Sequence, residues 1–125
     1  MRLKSIWLTI AWGLVMLVVY FSLTPHPPEP VSFDHADKLE HALAYAALSF
    51  WFGHIYRSAG ARVIVMAALV GLGVGLEFAQ GWTGYRMFDV MDMLADSAGV
   101  LFGWLMLFTP AAQLFVYIEN YLKAR

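Results

Sequence analysis

VIVMAALVGLGVGLEFAQ, residues 63–80, decides the fold: it runs for eighteen residues with a single charge, Glu77. A bilayer span takes roughly 20 predominantly apolar residues. Three further stretches share this character: 6–23, 38–56 and 88–108. Four such runs nearly exhaust 125 residues, so they leave room for a single domain, 1–125. Composition agrees, with 61% hydrophobic and 14% charged residues, where a soluble domain carries about a quarter charged. The expected fold is therefore all-α: an integral membrane bundle of four transmembrane helices plus a C-terminal interfacial helix.

The segments between the runs carry ordinary breaking signals. Pro25, Pro27, Pro28 and Pro30 end the first run, and Gly81-Trp82-Thr83-Gly84 breaks the chain after the third. The first run follows Arg2 and Lys4, as a signal peptide would. It is too long for a usual signal core and lacks a clean small-x-small cleavage site, so a retained anchor is expected. Asp37-Lys38-Leu39-Glu40 reads as a helix start, with an acidic cap and a glutamate three residues on. The tail, 111–123, sets Leu114, Tyr117, Ile118 and Tyr121 at helical spacing, the pattern of an amphipathic helix lying in a membrane interface.

Orientation follows from lysine and arginine placement. Four spans put both termini on one side, together with Arg2, Lys4, Arg57, Arg62, Lys123 and Arg125, while the other side holds Lys38 and Arg86. Both termini are therefore expected in the cytoplasm, with Trp82 and Tyr85 in an outer aromatic belt. The net charge of -1 argues against a nucleic-acid partner, and the absence of cysteine removes disulfides, thiolate catalysis and zinc–sulfur sites.

Polar residues converge at the outer level. At about 100° per residue, Asp37, His41 and Tyr45 fall within roughly 80° of arc on the second helix. Glu77 and Gln80 share a face of the third with Gly73. Asp89, Asp92 and Asp96 share a face of the fourth, which continues as Gly99 and Gly103, where a neighbouring helix can come close. A second small-residue face on the third helix, Ala67, Gly71 and Gly75, offers packing to the first helix or to a second copy of the chain. Several of these positions have plain structural readings: Asp37, Glu40 and Asp89 as helix caps, Lys38 as a snorkelling interface residue, Tyr45 as packing, His41 as a satisfied core histidine. Glu77, Asp92 and Asp96 are different, because charge at membrane depth is costly and marks function by default. His54 lies about 20 Å along the helix from His41 at 1.5 Å per residue and belongs elsewhere.

The ordered blocks Asp37-Lys38-x-x-His41-x-x-x-Tyr45, Glu77-x-x-Gln80 and Arg86-x-x-Asp89-x-x-Asp92-x-x-Ala95-x-x-x-Gly99 resemble VanZ-like membrane proteins over about Asp37 to Gly103. The resemblance implies a bacterial multi-span protein of the cell (inner) membrane, and the founding member of that family is associated with resistance to the lipoglycopeptide teicoplanin. The family commonly has Asn where this chain has Asp96.

Acid exceeds base among the candidates: Asp37, Glu77, Asp89, Asp92 and Asp96 stand against Lys38, Arg86 and His41. Such an excess must be neutralised by protonation, a cation or a basic ligand group. Arg86 is expected to pair with one or two of the carboxylates. The leading expectation is a protein that binds or modifies an envelope lipid, a lipid-linked precursor or another amphiphile. A second is an intramembrane hydrolase or transferase using His41 and Glu77, with Asp92 joining them if a divalent metal is held. It lacks a His-Glu-x-x-His pair and a Ser or Cys nucleophile beside a base. A proton or cation path ranks last, because helices three and four offer mainly glycine and apolar residues toward the other side. The sequence points to no particular cofactor.

Overall fold

A computed structural model describes residues 3–24, 36–84 and 90–123, with the side chains of Ala36 and Asp37 outside that description. Helices α1 (Lys4–Leu23), α2 (Ala36–Ile55), α3 (Ala59–Thr83), α4 (Val90–Met106) and α5 (Leu114–Lys123) follow one another, with a short 3-10 turn at Pro110–Gln113 before α5. The all-α expectation holds.

Local chemistry sets the ends. Thr24 precedes Pro25, whose ring disfavours helical backbone at the residue before it; Thr24 is extended at φ -72 and ψ 143, and α1 stops there. Ser58 caps α3, its hydroxyl accepting from Ala61 N at 3.1 Å. This cap starts α3 at Ala59 rather than at 63, because the first turn, Ala59-Gly60-Ala61-Arg62, lacks the large apolar residues that mark the run. At the other end α3 continues through Gly81 and Trp82 to Thr83 and closes on Gly84 at φ 81, a left-handed position that glycine takes without strain. The expected break within that quartet thus falls at its last residue. At 25 residues α3 is about 37 Å long, longer than the ~30 Å hydrocarbon core, so its ends reach both interfaces.

Two helices, α1 and α3, are long and apolar enough to cross a membrane on their own, and α4 joins the segment Pro110–Lys123 as a pair bent by 76°. Large apolar side chains face outward, with Ile64 70%, Phe108 68% and Met16 67% exposed. In water such a surface would be a liability; against lipid it is the expected exterior.

Inside, α2 and α4 pack backbone to backbone. A Cβ on Gly99 would collide with the carbonyl of Ala42, and one on Gly103 with that of Ala46. The glycine face read from the sequence is this contact. Ser49 Oγ donates to Val100 O across it at 2.8 Å. The Ala67, Gly71 and Gly75 face is exposed and has no packing against α1; Gly71 and Gly75 have open space before them.

Helix α5 turns away from α4 and docks at the end of the bundle that carries the N-terminus. Its buried face is Phe115 and Glu119. The tyrosines at helical spacing point the other way, Tyr117 being 74% exposed. Phe115 stacks on Trp7 at 4.2 Å and on His54 at 4.1 Å, forming a three-layer stack that joins α1, α2 and α5.

Candidate functional site

The site is built where α2 begins and α3 ends, against the first turns of α4. Helix α2 supplies Lys38, His41 and Tyr45, helix α3 supplies Glu77 and Gln80, and helix α4 supplies Asp92 and Asp96. Glu77 is 1%, Asp96 2% and Asp92 7% exposed. Three carboxylates are thus removed from the surrounding solvent by a four-helix arrangement of otherwise apolar surfaces.

Direct contacts order the cluster. Lys38 Nζ lies 2.7 Å from Asp92 Oδ1, so the lysine is a partner within the site rather than an interface residue on its own. His41 Nδ1 lies 2.8 Å from Asp96 Oδ1. An ionised carboxylate only accepts, so Nδ1–H is the donor and the basic nitrogen of a neutral His41 is Nε2. Nε2 makes no hydrogen bond among the described residues. Glu77, Asp92 and Asp96 all act electrostatically on His41, and Glu77 and Asp96 act on the buried Tyr45. Convergence of the three blocks is therefore real for these residues.

Gly73 makes the arrangement possible. A Cβ there would stand 2.8 Å from Asp96 Oδ2, so the glycine leaves room for the carboxylate between α3 and α4. Gln80 serves a different end. Its side-chain amide donates to Ser22 O at 2.8 Å, tying the end of α3 to the end of α1. The side chain of Asp37 and residues Arg86 and Asp89 lie outside the described residues, as does Tyr85. Among the described residues no three His, Asp or Glu side chains are grouped to hold a metal ion.

Three other buried polar groups were not singled out as sites in the sequence. Ser49 bonds Val100 O. His54, fully buried, sets its ring nitrogens 2.8 Å from Phe50 O and 3.1 Å from Ala111 O. Glu119 accepts from Leu3 N at 2.7 Å and from Trp7 Nε1 at 3.0 Å. These contacts run to backbone or to an indole. No local pattern marks Glu119, because its partners lie more than a hundred residues away in sequence.

The family model described as VanZ/LLP1 matches residues 6–115. The chain belongs to the VanZ/LLP1 family. The match covers both the carboxylate cluster and most of the helix framework that builds it. A curated relative of this VanZ/LLP1 protein is an uncharacterised protein of Schizosaccharomyces pombe, 27% identical over 95 residues, covering 72% of this chain and 56% of the yeast protein. The chain thus spans about half the length of that relative, and the likeness reaches a eukaryote. No solved structure matches the chain.

Proposed function

We propose that this VanZ/LLP1 family protein binds an envelope lipid or lipophilic molecule at the outer face of the membrane, through a positively charged group on the ligand. The observation that supports the reading is the burial of Glu77, Asp92 and Asp96 together, in a sequence whose candidate acids Asp37, Glu77, Asp89, Asp92 and Asp96 outnumber Lys38, Arg86 and His41. In a low-dielectric site an excess of carboxylate calls for a proton, a cation or a basic ligand group. An organic cation such as a lipid ammonium would supply that charge on a molecule whose chains suit the surrounding apolar surface. The outer placement rests on the lysines and arginines concentrated at the opposite end, by the positive-inside rule.

The test is a melting curve of the purified protein in detergent with added phosphatidylethanolamine or with diacylglycerol, which has the same chains and no ammonium. The amine lipid is expected to raise the melting temperature, and Asp92→Asn to remove the rise. A rise that survives Asp92→Asn, or an equal rise with diacylglycerol, contradicts the reading.

A second reading draws on the His41–Asp96 contact. A carboxylate that holds Nδ1 leaves Nε2 positioned to take a proton, as in acid–base transfer enzymes. In this version the site modifies its ligand. Asp96→Asn separates the two: Asn can accept the same Nδ1–H bond, so binding persists, but the negative charge that stabilises a protonated imidazole is gone. Turnover lost with binding retained favours the transfer reading.

A further inference from the structure

A different part of the molecule carries an unassigned site. An apolar groove of about 520 Å³ opens between α1, α2 and α3 at the end away from the carboxylate cluster. Trp12 and Val15 of α1, Phe52 and Tyr56 of α2, and Ala68 and Leu72 of α3 are among its walls. It is open sideways, with Trp12 59% and Ile64 70% exposed. Along α3 its lining runs from Ala61 to Leu72, about 17 Å at 1.5 Å per residue. That is close to half of the ~30 Å hydrocarbon core, the depth of one leaflet.

The mouth of the groove is basic. Lys4 Nζ sits over the Tyr56 ring, 5.6 Å from its centroid. Arg57 follows Tyr56 directly, and Arg62 follows Ala61, both of which line the groove. Arg62 Nε donates to Gly53 O at 3.0 Å, which holds its guanidinium against the end of α2. Arg57 and Arg62 are close enough to act on each other as like charges. Among the described residues no carboxylate pairs with Lys4, Arg57 or Arg62. Three cations gathered at the mouth of a leaflet-deep apolar groove, without acidic partners, fit one occupant: a lipid whose chain fills the groove and whose anionic head meets the cations.

We propose that the groove bounded by α1, α2 and α3 is a binding site for an anionic phospholipid of the cytoplasmic leaflet, with one acyl chain along α3 and the phosphate at Lys4, Arg57 and Arg62. Basic pockets between membrane helices on the cytoplasmic side recognise acidic headgroups in this way, and arginine suits phosphate geometrically. The site is separate from the carboxylate cluster in position and in sign.

The experiment is native mass spectrometry of the full chain released from detergent micelles doped with phosphatidylglycerol or phosphatidylcholine of matched chains. Wild-type protein is expected to retain phosphatidylglycerol in preference. Lys4→Gln with Arg57→Gln, both exposed positions, should weaken that preference by roughly thirtyfold, at about fivefold per basic residue at a membrane surface. Ala68→Phe, which fills the groove, should reduce retention while Lys4 and Arg57 remain. Equal retention of the two lipids by wild type, a preference that survives the double substitution, or retention untouched by Ala68→Phe each overturns the proposal. Should a variant fail to fold, the wild-type melting temperature decides: phosphatidylglycerol must raise it above the value in phosphatidylcholine, and equal values overturn the site.

Discussion

The two ends of the bundle each hold a histidine and bury at least one carboxylate, yet they are built differently. At the end that carries the N-terminus, Glu119 receives an indole N–H and a backbone N–H, and both nitrogens of His54 face backbone carbonyls, all sealed by the Trp7–Phe115–His54 stack. Glu119 thereby ties α5 to α1, and His54 Nε2 faces the turn that leads into α5. At the other end Glu77, Asp92 and Asp96 are buried near one another, Lys38 meets Asp92 and His41 meets Asp96, and among the described residues His41 Nε2 makes no hydrogen bond. Burial of a charged group therefore does not identify a site. What distinguishes the cluster is that three buried carboxylates from two helices gather beside a lysine and a histidine of a third.

That contrast can be broken by substitution at each end. The largest stability effect belongs to the clasp. Trp7→Ala removes a buried ring and the indole donor to Glu119, and the expected loss is about 3–5 kcal/mol, read as the detergent melting temperature or as proteolysis of the released α5. Function at the distant cluster should persist wherever the fold does. Next comes Gly73→Ala. The added methyl would meet Asp96 Oδ2 at 2.8 Å, so the carboxylate must shift away from its place beside His41. Overpacking of this kind costs about 1–3 kcal/mol, while ligand response at the cluster should fall far more than stability does. A Gly73→Ala protein with full ligand response would mean that the position of Asp96 does not matter. The smallest change is Glu119→Gln. The amide oxygen still accepts from Trp7 and Leu3 without charge assistance, for an expected loss of about 1 kcal/mol and no effect on ligand response. A functional defect in Glu119→Gln would merge the two ends into one system.

Much of this was legible in the sequence, and the reasons are physical. Long apolar runs with sorted charges leave few options but membrane helices, because each polar group in lipid must be satisfied internally. Glu77 and Asp96 stood out because they lie inside apolar helices, whereas Asp92 falls in the first turn of α4, where a carboxylate also complements the helix dipole. Gly99 and Gly103 foretold the close approach of α2 and α4 because a small-residue stripe is a local pattern. The start of α3 was not legible, since Ser58 acts through one hydroxyl. The pairing of Lys38 with Asp92 and of His41 with Asp96 was not either, because it depends on the register of α2 against α4. Glu119 read as the end of an apolar run, while its partner Trp7 stands at the far end of the chain.

The central claim is that the carboxylate cluster is a site rather than scaffolding, and Glu77→Gln tests it most directly. The substitution keeps shape and volume and removes one of three crowded negative charges at a depth where charge is costly. Melting temperature in detergent and lipoglycopeptide sensitivity of cells carrying the variant would be measured side by side with wild type. The expected result is loss of ligand response and of any effect on sensitivity in a protein that still folds, because the substitution removes charge and keeps shape. A loss of about 3–5 kcal/mol, the cost of breaking a buried ion pair, with function intact would contradict the account and make the cluster a second clasp.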